Sequence, residues 1–275
     1  MARRLAFGVF KVFFKDAISG LNAPKVTVPD GVVLLHQPPI CDKVPMVSNF
    51  VVKLETYLRM TEIPYENSFG PKVSSKGKVP WIKYNGKKIA DSNFCIRFLN
   101  EEFKVTLDDK LSKTERAISH AIKTMVEENT YWTMVYYRWV EDPQCSAKLI
   151  FPKLSERKRA LILSVVQRVA KNQLHAQGLG RHSIAEVHSI ARKDLQSLSE
   201  FLHDKPFMMG QEPSLVDASV FGLLAQFVWQ DESSAQHAMV HSEFKNLVGY
   251  CDRMKERYWK DWDQAIAERK RLHYE

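Results

Sequence analysis

The chain has 275 residues, of which 45% are hydrophobic and 26% charged, with a formal net charge of +8. This length allows one large domain or two modest domains, and the scattered basic residues lack the interleaved aromatics that nucleic-acid binding requires, so we expect no nucleic acid partner. The four cysteines form no CxxC pair and no metal-ligand spacing, which predicts a reducing, cytoplasmic location and no bound metal.

Residues 1–30 are interpreted as an apolar and basic segment followed by a linker. Leu5 to Phe14 is apolar except for Lys11 and is too short to span a bilayer, which takes about 20 residues. Lys11 and Lys15 share one helical face with phenylalanines around the rest, a pattern compatible with peripheral membrane contact by residues 3–15. A tail that packs on the domain or is disordered accounts for the same pattern, and the sequence leaves both readings open.

Residues 31–105 are predicted to form the first domain, in which strand, helix and strand come first. Val32 to Leu35 is a short buried strand, and the proline-containing stretch from His36 to Val47 is a loop at its carboxyl end, where ligands of open α/β sheets bind. Ser48 is the type of residue that caps a helix N-terminus. The helix after it has its apolar face at Phe50, Leu54, Tyr57 and Leu58.

A hairpin and a second helix complete this domain. Asn85-Gly86 lies between two extended apolar runs, which is the strongest short signal for a hairpin. Pro80 opens the first of these strands, where proline marks an edge, a bulge or a cis peptide. Asp91-Ser92 stands directly before the next helical pattern and predicts an N-cap, whose free N–H groups can receive a carboxylate of a ligand.

From residue 111 to residue 275 the pattern predicts helices without strands. Ser112 and Ser183 each stand three residues before a glutamate and open helices as capping boxes, and Pro143 ends the first of these helices. A further helix runs from Ser155 to Gly178. Pro213 opens an almost wholly apolar helix, as expected in the middle of a bundle. One more helix precedes a charged tail that contains Trp259 and Trp262.

These features resemble the second half of the thioredoxin-like domain of glutathione transferases, through Lys78-Val79-Pro80-Trp81, the hairpin and Asp91-Ser92. More narrowly, the chain resembles the failed axon connections family, a transferase-like branch related to metaxins, from about Val32 to Trp262. The motifs that carry this narrower resemblance are Lys53–Met60, Gly77–Ile82, Val126–Glu128 with Tyr131–Thr133, Gly178–Arg181 and Asp217-Ala218. The resemblance implies an α+β/α fold with a thioredoxin-like N-terminal domain and an all-helical C-terminal domain.

The resemblance also implies a site for glutathione as co-substrate, formed by Val79, Pro80, Asp91 and Ser92. Ser48 stands where a transferase hydroxyl would contact the glutathione thiol and lower its pKa, but a plain N-cap explains a serine there as well. The tyrosine typical of many transferases is missing, since His36-Gln37 follows the first strand. Cys41 could form a mixed disulfide, but it lies seven residues before the helix, where its pKa would not be lowered.

Two functions remain open on this basis. The first is an enzyme that adds the glutathione thiolate to a small electrophile. The second is a non-catalytic adaptor, like metaxins, that acts through protein contacts at a membrane; the apolar N-terminal segment and the missing tyrosine favour it. The family resemblance implies a role in axon development in animals, or in a stress response in other branches. It also allows a homodimer, in which a second copy of the chain is the partner.

Overall fold

The computed structural model describes residues 26–274, so the predicted membrane contact of residues 3–15 lies outside the described residues. The described chain divides into two compact units. One contains the residues up to Lys110 together with those from Met254 onwards, and the other contains Leu111–Arg253. In the described part of the chain, no helix is long and apolar enough to cross a membrane.

The first unit contains a four-stranded mixed sheet in the order β2-β1-β3-β4. β1 pairs in parallel with β2 and antiparallel with β3, which pairs antiparallel with β4. The Asn85-Gly86 turn of the predicted hairpin has positive φ at both residues, +44° and +79°, as a tight primed turn requires. The strands are β1 (Val33–Gln37), β2 (Tyr65–Phe69), β3 (Trp81–Tyr84) and β4 (Lys87–Ala90).

Helices α1 (Asn49–Met60) and α2 (Ser92–Phe103) lie side by side in the same direction. Lys53 Nζ donates to Asn93 Oδ1 at 2.8 Å near the start of both helices, and Tyr57 Oη donates to Asn100 Oδ1 at 2.8 Å about one to two turns further on. Because both bonds join residues at corresponding depths in the two helices, the two N-termini are adjacent and point the same way.

The second unit is helical, as predicted. Ser112 and Ser183 form the predicted capping boxes with Glu115 and Glu186. The predicted long helix before Pro143 is not uniform, because two π-helical turns interrupt it. Its segments are α3 (Lys113–Met125), a π turn (Val126–Thr130), α4 (Tyr131–Tyr136) and a second π turn (Tyr137–Glu141); then follow α5 (Pro143–Ile150), α6 (Glu156–Gln177), α7 (Ile184–Leu202), α8 (Leu215–Ala225) with a π turn (Gln226–Gln230), and α9 (Ala235–Ser242).

The C-terminal part of the chain differs from the sequence-based expectation. The stretch predicted as a charged tail of the helical domain is an ordered helix, α11 (Trp262–Tyr274), which follows α10 (Lys245–Tyr258). Residues from Met254 onwards group with the thioredoxin-like unit, not with the helices of Leu111–Arg253. The physical reason is that Trp259 and Arg269, 1% exposed each, donate hydrogen bonds to Thr56 and Glu55 of α1.

Candidate functional site

The predicted site residues are brought to one edge of the sheet. Trp81 pairs with His36 of β1 and with Ala90 of β4, so the end of β1, the start of β3 and the end of β4 are level. Val79-Pro80 directly precedes this row and Asp91 directly follows it. Since α1 follows β1 and α2 follows β4, both helices begin at the same edge, which carries two helix N-termini.

Asp91 is the N-cap of α2, as predicted. Its Oδ1 accepts from Asn93 N at 3.0 Å and from Phe94 N at 3.4 Å, and the side chain is exposed. Its backbone has φ +87° and ψ 127°, a conformation that costs about 1–3 kcal/mol in a residue other than glycine and that is common in ligand clamps. One carboxylate oxygen thus satisfies the helix while Oδ2 is open to a cationic group.

The Val79-Pro80 peptide bond is cis, one of the alternatives predicted for Pro80. Pro80 is buried and Val79 is partly exposed. Among the residues that the structure describes, the main-chain N–H and C=O of Val79 have no hydrogen-bond partner. A partly exposed main chain with both groups free can pair with an extended peptide. Ser92, the first residue of α2, is 5% exposed.

Ser48 occupies the N-cap position of α1, but the predicted capping hydrogen bond is absent. Its backbone is extended, with φ −91° and ψ 114°, and its main-chain carbonyl accepts from Val51 N and Val52 N. The side chain forms no cap hydrogen bond and is partly exposed. The hydroxyl is therefore not used by the helix and is available to a ligand at this N-terminus.

The two residues that replace the typical tyrosine both have other roles. His36 stacks on Trp81 with ring centroids 3.6 Å apart and an interplanar angle of 6°. Gln37 is 1% exposed and donates to Glu55 Oε2 at 3.0 Å and to Asn67 Oδ1 at 2.6 Å. Because successive strand residues face opposite sides of the sheet, these side chains occupy its two faces. The hydroxyl that remains from the predicted site is that of Ser48, the N-cap of α1.

His36 gives the first unit a pH dependence. Burial, followed by the charges of Lys72, Lys83 and Lys88, lowers its pKa to about 4 from the ordinary 6.5. Between these pH values the unfolded chain binds a proton that the folded chain does not. We therefore expect the free energy of unfolding to fall as pH drops from 6.5 to 4, by at most about 3 kcal/mol.

The matched variant for this prediction is His36→Phe, which can stack on Trp81 but cannot titrate. Urea unfolding of both proteins at several pH values between 4 and 7 measures the effect. The parent should lose stability relative to the variant as pH falls, and parallel curves would contradict the assignment.

Cys41 is not placed as a reactive thiol. It is fully buried, and its Sγ donates to Ile266 O at 3.5 Å. Burial raises the pKa of the thiol to about 11 although Arg269 and Lys270 act in the opposite direction. A thiol with this pKa is almost wholly protonated at neutral pH and is a poor nucleophile.

Among residues 26–274, no group of His, Cys, Asp and Glu is arranged to hold a metal ion.

The sequence did not indicate the buried charge network beside this edge. Glu55 is fully buried, and its carboxylate accepts hydrogen bonds from the side-chain amides of Gln37 and Asn67. Arg269 Nη2 donates to both carboxylate oxygens. Burial opposes ionisation of Glu55, but Arg269 and Arg59 together with these hydrogen bonds lower the pKa of its carboxyl. The sequence does contain one sign of this network. Lys53, Glu55 and Thr56 are polar residues between core positions of α1, and such residues must have partners once they are buried.

Comparison with family models and curated proteins supports this architecture. The glutathione S-transferase N-terminal domain model matches residues 49–144, and the C-terminal domain model matches residues 191–254. Failed axon connections of Drosophila melanogaster is 30% identical over 262 residues, which cover 90% of this chain and 62% of that protein. Isoprene-epoxide–glutathione S-transferase of a Rhodococcus species is 30% identical over 226 residues, covering 78% and 94%. Metaxin-2 of Mus musculus is 22% identical, covering 77% and 82%.

Solved structures show the same fold. A beta-etherase from Sphingobium superposes with a TM-score of 0.59 and 17% identity over 87% of this chain and 98% of its own. A glutathione S-transferase from Methylobacillus flagellatus with glutathione bound gives 0.55 and 13% over 86% and 98%. The class is therefore a transferase-like protein with a thioredoxin-like unit and a helical unit. The chain belongs to the glutathione transferase-like family that includes Failed axon connections, with metaxins as further relatives.

Proposed function

We propose that the chain binds glutathione at the edge formed by Val79, Pro80, Asp91 and Ser92. The observation that carries this proposal is that the two carboxylate oxygens of Asp91 differ. Oδ1 caps α2, whereas Oδ2 is open to a cationic group. A tripeptide with a free ammonium and carboxylate at its glutamyl end matches this edge: the ammonium pairs with Asp91, and the carboxylate meets the main-chain N–H and the hydroxyl of Ser92. The main chain of Val79 pairs with the middle of the peptide.

We propose further that the bound thiol lies at Ser48 and adds to a small electrophile. The Ser48 hydroxyl donates a hydrogen bond to the sulfur, and the N-terminus of α1 adds a positive dipole end. Both favour thiolate over thiol, so the thiol loses its proton closer to neutral pH and the sulfur attacks the electrophile. Two observations support this assignment. The Ser48 hydroxyl makes no cap hydrogen bond, and the Gln37 side chain, in place of the typical tyrosine, is bonded to the buried Glu55.

Replacing Ser48 by Ala tests the thiol contact. Because the hydroxyl makes no cap bond, we expect the free energy of unfolding to change by less than about 0.5 kcal/mol. Conjugation of a generic electrophile at neutral pH should fall by about tenfold or more, since one hydrogen bond to a charged atom is lost. Ser155→Ala is the matched control, because Ser155 is also an N-cap without a side-chain cap bond. Unchanged turnover in Ser48→Ala would leave that serine with a structural role alone.

The second candidate function is an adaptor that has the fold without the chemistry. The metaxin relatives favour it. So does Gln37, which stands where many transferases have a tyrosine and is bonded to Glu55. Calorimetric titration of the parent protein with glutathione separates the two candidates. Binding at micromolar to millimolar glutathione supports the proposed site, whereas no binding at millimolar glutathione removes the enzyme and leaves the adaptor that acts through protein contacts.

A further inference from the structure

The loop between β1 and α1 carries Ser48 to the site, and its path is set from outside by helix α11. The loop leaves β1 at Gln37 and closes on itself where Val47 N donates to Ile40 O at 3.1 Å. A loop of this length without regular secondary structure needs tertiary contacts to hold one conformation.

Three residues of α11 provide these contacts from one helical face. They are spaced three and four positions apart, so they lie together on the helix surface. Ile266 O accepts from Cys41 Sγ at 3.5 Å, Lys270 Nζ lies 3.0 Å from Asp42 Oδ1, and Arg269 Nη1 donates to Pro45 O at 2.9 Å. The Lys270 pair is half exposed and contributes little. The contact of Arg269 with Pro45 O is buried, and Pro45 lies three residues before Ser48.

Arg269 also binds the helix that begins at Ser48. Its Nη2 lies 2.7 Å and 2.8 Å from the two carboxylate oxygens of Glu55. One planar guanidinium therefore joins Pro45, before Ser48, to Glu55, two turns after it. Because the fork of an arginine is rigid, the distance between loop and helix is fixed as well.

We propose that Arg269 is a positioning residue for the glutathione site: it holds the loop that precedes Ser48 at a fixed place relative to α1. This inference rests on the proposed function. Arg269 itself is 1% exposed and has no contact with the site. Its effect on the ligand passes through Pro45 and the Ser48 hydroxyl.

Arg269→Lys tests the proposal, since lysine keeps the charge opposite Glu55 but lacks the planar fork. Amide hydrogen exchange in residues 38–48 should speed up by about tenfold or more, while exchange in the middle of α1 changes little. Glutathione affinity should fall by about fivefold, and the pKa of the bound thiol, read from thiolate absorbance against pH, should rise towards the free value of about 8.5. A role in stability alone would not move the thiol pKa.

Two further variants keep the test decisive. The double variant Arg269→Met with Glu55→Gln removes both charges together, which avoids a lone buried charge if Arg269→Lys fails to fold. Asp261→Asn is the matched control, because it weakens the pair of Arg59 Nη2 with Asp261 Oδ2 at 2.9 Å and has no contact with residues 38–48. Unchanged loop exchange and thiol pKa in the folded variants, or equal changes in Asp261→Asn, would overturn the inference. A parent that binds no glutathione overturns the proposed function and this inference together.

Discussion

Replacing Arg269 by Leu is expected to lower the free energy of unfolding by about 3–5 kcal/mol, because it leaves the carboxylate of Glu55 buried without its closest cation. The geometry explains why the effect is large. Glu55 has no exposed surface, and the second cation, Arg59, lies at 3.6 Å and also pairs with Asp261. Urea unfolding at neutral pH, followed by tryptophan fluorescence, measures the loss, and Trp81, Trp259 and Trp262 belong to the same unit as Glu55.

The double variant Arg269→Leu with Glu55→Gln completes a thermodynamic cycle. If the cost comes from the unpaired charge, the double variant should be more stable than Arg269→Leu alone. The direction in which the stabilisation by this ion pair changes with pH is also determined. The low pKa of Glu55 means that the ion pair stabilises the fold above the ordinary value of 4.5 and loses this effect as pH falls. A loss in Arg269→Leu that is the same at pH 4 and pH 7 would show that packing, not charge, is responsible.

The order of elements was predictable because local signals determine it. Asn85-Gly86 specifies its turn through two positive φ angles, and Asp91 specifies the start of α2 through two hydrogen bonds within the next three residues. Capping boxes such as Ser112 with Glu115 work in the same way. Each of these signals involves neighbours in sequence, so reading the chain in order is sufficient.

The charge network was not predictable because its partners are distant in sequence. Glu55 and Arg269 are 214 residues apart, and nothing near Arg269 in its highly charged helix distinguishes it from the exposed basic residues beside it. The hydroxyl of Ser48 illustrates the opposite case. The residue type and its position predicted a cap bond, yet the side chain does not make it. Residue type fixes what a group can bind, whereas tertiary structure decides what it does bind.

Asp91→Asn is the change that tests the proposed function most directly. Asn caps helices as well as Asp does and tolerates positive φ, so we expect the cap to Asn93 N and Phe94 N to survive with little change in melting temperature. The charge on Oδ2 is lost. A hydrogen bond between charged groups contributes about 1.5–3 kcal/mol, so glutathione affinity should fall by about ten- to a hundredfold.

A matched control separates this loss from a general effect on helix caps. Asp142 is the N-cap of α5 and accepts from Cys145 N at 3.2 Å, in the helical unit and without a proposed ligand contact. Asp142→Asn should therefore retain both stability and glutathione affinity, measured by the same calorimetric titration. If parent and Asp91→Asn bind glutathione equally, Asp91 serves the helix alone and the ammonium has another partner. If affinity falls in Asp91→Asn and the melting temperature does not, the free carboxylate oxygen is the group that selects the glutamyl end of the ligand.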